Sequence, residues 1–257
     1  MTLILTIIYE RIKVHALTYI NGQTEITEKL SFGMLLALVG GFMDAYSYIV
    51  HGNVFATGQT GNFVLVAVRL AEKDYAGMFH AIIPIVSFWL GVFLAWHMFY
   101  YYFKQKNLLW KRGILVTAMI ILFFTGLLPH SYPDIAANTL VSLAAALQYC
   151  AFRKFDEDDN YASIFCTGNM RSCADNYYKG FVRKDKKCLK KALRYSCIIL
   201  AFFIGAVSGA LSSNLFHERA IWAVTVILLL CLTLTFVSNK AILKNNAFIE
   251  NPLKKAL

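Results

Sequence analysis

The sequence predicts an all-α membrane protein with six transmembrane helices, and three observations support this fold class. Hydrophobic residues make up 58% of the 257 positions and charged residues only 16%, whereas a soluble domain carries about 25% charged residues. Apolar stretches recur that are long enough to cross a hydrocarbon core, which takes roughly 20 helical residues. Lys and Arg concentrate between these stretches, as they do in the short cytoplasmic loops of membrane proteins.

Six apolar segments are predicted to be the spanning helices. They cover residues 31–50, 78–103, 113–128, 135–152, 193–216 and 220–237. We expect a cytoplasmic or interfacial segment at 1–30, one transmembrane domain at 31–238 and a cytoplasmic tail at 239–257. Within the domain, residues 31–128 and 135–238 form two halves of three helices each.

Two further segments, residues 53–70 and 160–179, each contain a Thr-Gly-Asn triplet, and the first of them is otherwise apolar. The second also carries Arg171 and Asp175, which are costly in contact with lipid. If both segments enter and leave on one side, the chain crosses six times, and the basic residues left outside are Arg69, Lys73 and Arg219. If both cross, the outside instead holds Lys104, Lys106, Lys111, Arg112, Arg153, Lys154 and Arg219. Because cytoplasmic loops collect basic residues, the count favours six crossings with two re-entrant segments.

The chain also repeats itself, with five residues recurring at a spacing of 107 positions. Asn53, Thr60, Gly61, Asn62 and Ala67 match Asn160, Thr167, Gly168, Asn169 and Ala174. A helix with a polar residue precedes each copy, and a helix with a small-residue face follows it: Phe88-Trp89-Leu90-Gly91 in one half and Phe202-Phe203-Ile204-Gly205 in the other. With three crossings per half the repeat is inverted, an arrangement that places transporter sites at the bilayer midplane. With eight crossings the repeat would be parallel.

The run Gly-Gly-Phe-Met-Asp-Ala-Tyr-Ser-Tyr at 40–48 is followed by Phe-Ala-Thr-Gly-Gln-Thr-Gly-Asn at 55–62, Leu-Gln at 147–148 and Thr-Gly-Asn-Met at 167–170. Together these motifs resemble the YoaK family of bacterial membrane proteins, over nearly all of the chain beyond the first thirty or so residues. The resemblance implies a multi-pass inner-membrane protein of unknown function. It implies no substrate, cofactor or catalytic residue.

The triplets predict two helices that begin inside the protein, because Gly permits a sharp turn and Asn and Thr can bind the freed backbone groups. A helix start presents unpaired amides and the positive end of the helix dipole. Two such starts favour a pathway for a small polar or anionic solute, with Arg171 reinforcing the second start. Alternatively, the triplets only cap two broken helices in a packed core. The expected site residues are Asp44, Gln59, Thr60, Gly61, Asn62, Gln148, Thr167, Gly168, Asn169 and Arg171.

Asp44 is the strongest single candidate for a functional residue, since a carboxylate within a span needs a partner or water. It could take up a proton or a cation during transport. Alternatively, it pairs with Arg171 or accepts hydrogen bonds from the other half as a structural clamp. Gln148, its counterpart by position, cannot titrate, so the two halves would not be functionally equal.

Other features indicate membrane topology rather than chemistry. The net charge of +10 follows from membrane orientation, and we expect no nucleic-acid partner. Four histidines (His51, His80, His130 and His217) lie near the outer ends of spans, without metal-ligand spacing, and are expected to be interfacial and unpartnered. A face formed by Gly205, Gly209 and Ser213 allows close helix packing or a homodimer contact.

A transporter or channel-like permease in the bacterial cytoplasmic membrane, with both termini cytoplasmic, is the favoured function. We expect no cofactor and no metal. The chain has no GxxxxGK[ST] loop, and neither HExxH nor GxSxG, which disfavours ATP hydrolysis and enzyme activity. The alternatives are a membrane-embedded enzyme and a non-transporting scaffold or sensor.

Overall fold

The computed structural model describes residues 25–155, 159–161 and 165–237. Within them the chain forms eight α-helices, of which six correspond to the predicted spans and two to the Thr-Gly-Asn segments. In chain order they are α1 (Leu30–Val50), α2 (Gln59–Ala71), α3 (Tyr75–His97), α4 (Asn107–Thr125), α5 (Asp134–Ala151), α6 (Thr167–Val182), α7 (Lys186–Phe216) and α8 (residues 222–237). The expected tail at 239–257 and most of the N-terminal segment at 1–30 lie outside the described residues.

Shorter elements join these helices. Ile26–Glu28 and His217–Ile221 are 3-10 turns, and Met98–Tyr102 extends α3 as a π-helical turn. Lys154–Phe155 and Asp159–Asn160 form a two-residue antiparallel strand pair, which the sequence analysis did not predict.

α4 and α7 begin more than one helical turn earlier than predicted, because each includes basic residues ahead of its apolar stretch. α4 begins at Asn107 rather than Gly113, and it includes Lys111, a buried residue whose Nζ lies 3.0 Å from Glu25 Oε2 and 2.7 Å from Thr27 Oγ1. α7 begins at Lys186 rather than Leu193, where the Asp185 carboxylate accepts the amides of the first turn. Such an N-cap satisfies donors that have no partner within the helix.

The contacts between helices fix their relative directions. Gly33 lies against Ile198 and Gly209 against Phe42, so α1 and α7 run parallel. α4 and α8 run antiparallel, because Arg112 Nη2 donates to the Thr235 carbonyl at 2.7 Å and Trp222 Nε1 donates to the Phe123 carbonyl at 3.1 Å.

The starts of α3 and α5 lie together at one end of the bundle. The His80 ring contacts Gly52, and the neighbouring His51 binds Asp134 and Asn138. We call this end the His51 end. The opposite end, where the starts of α1 and α4 meet around Lys111, is the Lys111 end.

Four described stretches are long and apolar enough to cross a membrane. They are Leu30–Val50, Tyr75–Tyr102, Asn107–Thr125 and Lys186–Val237, and the last of these contains both α7 and α8. α5 is not among them, and it carries Asp134, Asn138 and Gln148. α5 also buries most of its length, and Asn138 and Gln148 are among its buried residues.

The core and the outer surface are both apolar. Side chains from α1, α4, α5 and α8, such as Leu36, Leu115, Val141 and Leu228, form one buried cluster. On the outside, the exposed large hydrophobic residues include Phe93, Phe124, Phe203, Leu211 and Leu215. Soluble monomers rarely expose such extensive apolar faces, and lipid contact accounts for them.

Candidate functional site

α2 and α6 begin at the same cavity and run toward opposite ends of the bundle. α2 ends beside the start of α3, where Arg69 Nη1 donates to the Gly77 carbonyl at 2.7 Å, and this is the His51 end. α6 packs antiparallel to α7, with Gly180 against Leu189 and Cys173 Sγ 3.3 Å from Ser196 Oγ. α6 therefore ends at the Lys111 end.

Asp44 of α1 holds the loop that leads into α2. Its Oδ1 accepts the backbone amide of Thr57 at 2.9 Å and that of Gly58 at 3.3 Å. One sequence interpretation proposed that Asp44 accepts hydrogen bonds from the other half. The carboxylate instead accepts them from the loop of its own half. Among the described residues Asp44 forms no ion pair with Arg171 or with any other basic side chain.

Asn62 closes the same loop from inside α2. Its side chain accepts the Phe55 amide at 3.1 Å and donates to the Phe55 carbonyl at 2.6 Å and to Gln59 Oε1 at 2.9 Å. The residue is fully buried. Asn62 therefore shapes the turn and does not line the cavity.

The start of α6 has a contact like that of Asn62 in α2, in which the Asn of the triplet binds a backbone carbonyl of the preceding loop. Asn169 is buried and donates from Nδ2 to the Phe165 carbonyl at 2.8 Å. Thr167 and Gly168 are exposed, and a Cβ at position 168 would meet no atom within 4 Å. In both triplets the Asn stabilises the preceding backbone and the Thr is exposed. The glycines differ, because Gly61 lies against the Phe55 ring whereas Gly168 faces open space.

The cavity has a volume of about 680 Å³, within the range of about 300–1,000 Å³ typical of small-molecule sites. Both helix starts and Asp44 contribute to its wall, which also carries six aromatic side chains. Its lining consists of Asp44, Phe55, Gly58, Gln59, Thr60, Gly61, Phe88, Trp89, Tyr149, Phe165, Cys166, Thr167, Gly168 and Phe202. Asp44 is the one charged side chain in this set.

Of the expected site residues, six line the cavity and four do not. Asn62 and Asn169 lie behind the wall. Gln148 is buried in α5 and donates weakly to the Ala144 carbonyl at 3.4 Å. Arg171 is exposed on α6, outside the lining. The positive side chain that was expected to reinforce the second helix start is therefore absent from the wall.

The sequence interpretation missed the aromatic wall. Phe88 and Phe202 precede the glycines of the two matching small-residue motifs, and their recurrence was a usable signal. Phe88, Tyr149 and Phe165 contact one another, with ring centroids 4.8–6.1 Å apart. Tyr149 and Phe165 lie in no repeated motif and are brought to the cavity by packing alone.

A polar cluster at the His51 end corrects the expectation of unpartnered histidines. His51 Nδ1 lies 3.1 Å from Asp134 Oδ1, and its Nε2 lies 2.9 Å from the Tyr46 hydroxyl. His130 Nδ1 contacts Glu218 Oε1 at 2.5 Å. Burial lowers the pKa of His51, although the hydrogen bond that its ring forms with the Asp134 carboxylate opposes this shift. The cluster joins α1, α5 and the turn between α7 and α8.

Several apolar helices with outward apolar faces, together with a cavity whose wall is partly polar, define a multi-pass membrane protein. The family described as "Protein of unknown function (DUF1275)" matches residues 32–234, and the chain belongs to this family. The chain is similar to the UPF0700 transmembrane protein YoaK of Bacillus subtilis (strain 168), with 26% identity over 202 residues that cover 76% of this chain and 88% of that protein. No solved structure matches the chain.

Proposed function

We propose that the protein is a transporter or channel-like permease that binds a small polar solute in the cavity between α2 and α6. One observation carries the proposal: two helices start at one cavity, beside a carboxylate, and leave it in opposite directions. Helix starts inside a membrane protein offer free amides and the positive end of the helix dipole. Transporters built from two halves use such broken helices to bind their solutes.

Six membrane crossings, by α1, α3, α4, α5, α7 and α8, fit the directions of these helices. Successive members of this series alternate between the Lys111 end and the His51 end. Lys104, Lys106 and Arg153 lie at the Lys111 end, with the basic start of α7. Because cytoplasmic loops collect basic residues, we assign the Lys111 end and both termini to the cytoplasm and place the protein in the bacterial cytoplasmic membrane.

In this arrangement α2 is re-entrant from outside and α6 from the cytoplasm, so the two halves have opposite orientations. The packing of the helices supports this inverted repeat. α1, the first helix of one half, packs on α7, the second helix of the other half, and α5 packs on α3 in the same way. Gly205 of α7 and Gly91 of α3 both lie at these contacts.

Solute uptake into proteoliposomes tests the proposal. Panels of labelled amino acids, amines, carboxylic acids and sugars are offered with and without a pH gradient. Gly168→Trp is the blocking variant, because the open space beside position 168 admits a large side chain that fills the cavity. The matched control is Ala174→Trp, on the exposed side of α6.

We expect at least one solute to accumulate with the native protein and with Ala174→Trp, and to be excluded by Gly168→Trp. Accumulation that Gly168→Trp leaves unchanged would contradict the cavity as the pathway. Saturable binding without net flux for every solute in the panel would favour a sensor instead.

A further inference from the structure

The wall of the cavity carries one full charge, and that charge is negative. Asp44 is the single ionisable carboxylate of the lining, and no Lys, Arg or His belongs to it. A carboxylate in a membrane interior is costly unless a counter-charge or hydrogen bonds offset it. Amides of Thr57 and Gly58 bind Oδ1, but no cationic side chain among the described residues neutralises the group.

The rest of the wall is suited to a cation with an apolar surface. The six rings come from five elements: the loop before α2, α3, α5, the loop before α6, and α7. The face of an aromatic ring attracts an ammonium group within about 6 Å of its centroid, most strongly for Trp. Trp89 is in the wall, with Phe88 beside it in the chain.

A second, apolar groove adjoins the cavity at the same carboxylate. It has a volume of about 370 Å³ and lies between α1 and α7, where Ala45, Ala206 and Ala210 line it. Asp44, Phe55 and Phe202 belong to the walls of both spaces. A ligand whose charge lies at Asp44 can therefore place an apolar substituent in either space.

The opposing feature is the pair of helix starts, which favour an anionic group. Each helix start is equivalent to roughly half a positive charge, and the amides just before α2 are already bound by Asp44. The remaining start, that of α6, does not outweigh a full carboxylate in a wall that lacks any basic side chain.

We infer that the cavity selects an organic cation, an ammonium group with an apolar or aromatic substituent, with Asp44 as its counter-charge. This inference rests on the proposed solute site and names its substrate class. It replaces the anionic solute expected from the sequence, because Arg171 lies outside the wall.

A charge series of probes tests this selectivity by equilibrium binding to the full chain in lipid nanodiscs. The probes are benzyltrimethylammonium, benzyl alcohol and benzoate, which share an aromatic ring and differ in charge, and empty nanodiscs correct for partition into lipid. Asp44→Asn removes the charge and retains an oxygen that accepts the Thr57 and Gly58 amides. Asp175→Asn removes an exposed carboxylate of α6, outside the cavity, and is the matched control.

We expect benzyltrimethylammonium to bind at least about tenfold more tightly than benzyl alcohol, and benzoate to bind most weakly. Asp44→Asn should abolish the preference and Asp175→Asn should retain it. Equal binding of benzoate and the cation by the native protein would overturn the inference, even if Asp44→Asn did not fold. A preference that survives in folded Asp44→Asn would also overturn it.

The binding measurement tests the cation site and the uptake measurement tests transport, so either proposal can be contradicted without the other. Cation binding without flux would contradict transport and leave the cation site standing. Flux of neutral or anionic solutes through a cavity with no cation preference would support transport and refute the cation site.

Discussion

The Cα of Gly205 in α7 packs directly on the carbonyl group of Leu38 in α1. A Cβ at position 205 would overlap that carbonyl oxygen, and backbone atoms cannot move aside as the end of a side chain can. α1 and α7 approach closely here because neither helix carries a side chain between them. This contact also sets the spacing of the wall to which Asp44 and Phe202 belong.

We therefore expect Gly205→Ala to destabilise the protein by about 1–3 kcal/mol, the usual cost of overpacking. The measurement is thermal unfolding of the purified protein in detergent. Gly168→Ala is the matched control, since the space beside Gly168 is open and Ala is a better helix former than Gly by up to about 1 kcal/mol. Equal melting temperatures for Gly205→Ala and the native protein would show that the helices do not meet as described.

A second prediction concerns the Asn residues of the triplets. Asn62→Ala removes three hydrogen bonds that close the loop before α2 and leaves the amide and carbonyl of Phe55 without these side-chain partners. An unsatisfied buried polar group costs about 1–3 kcal/mol. We expect a lower folded yield and a lower melting temperature for this variant.

Thr60→Val provides the contrast, because Thr60 is exposed on the cavity wall. This change should alter solute binding and leave the melting temperature nearly unchanged. If Asn62→Ala unfolds at the native temperature, the loop does not depend on that side chain.

The helices and the two triplet segments were predictable because their signals are local. Apolar runs gave six helices whose ends differ from prediction by no more than several residues, and Thr-Gly-Asn marked the starts of α2 and α6. The start of α4 was misplaced because Lys111 is buried against Glu25 and Thr27, and that of α7 because its first turns are basic and are capped by Asp185. Nothing near Lys111 in the sequence indicates that pairing.

The wall of the cavity was only partly predictable, for a physical reason. Thr60 and Thr167 were identified by their repeated context, whereas Tyr149 and Phe165 reach the cavity through helix packing. Asn62 was assigned to the wall with the rest of its triplet, but its amide binds the backbone of its own loop, a use that the sequence analysis also expected of the triplet residues. A residue type indicates what a side chain can bind, and only the fold decides which partner it meets.

A third prediction concerns pH, through His51 at the His51 end. Burial lowers the pKa of His51 in the folded protein below its ordinary value of 6.5, so the folded state favours the neutral ring. As the pH falls through 6.5, the unfolded chain binds a proton that the folded protein does not. Stability should therefore decrease from pH 7.5 to pH 5.5, with a contribution from this group of at most about 1.4 kcal/mol per pH unit.

The groups that face His51 set the size of this effect. Asp134 and Glu218 favour the protonated ring and His130 disfavours it. The measurement is the melting temperature across this pH range for the native protein and for His51→Gln, which keeps hydrogen-bonding atoms but cannot titrate. A pH dependence as steep in His51→Gln as in the native protein would assign the effect to other groups.

The last prediction concerns the sides of the membrane that the connections face. Single cysteines are placed at exposed positions by Glu72→Cys, Asn107→Cys and Arg183→Cys in a chain whose six native cysteines are replaced. Intact cells are then treated with a membrane-impermeant maleimide. With six crossings, position 72 is outside and labelled, whereas positions 107 and 183 are inside and react only after permeabilisation.

If α2 and α6 crossed the membrane completely, positions 72 and 107 would exchange sides. Position 183 would stay inside, so it is the internal control. Labelling at 107 in intact cells would contradict the six crossings and the opposed entry of α2 and α6, because both require the connection between α3 and α4 to be cytoplasmic.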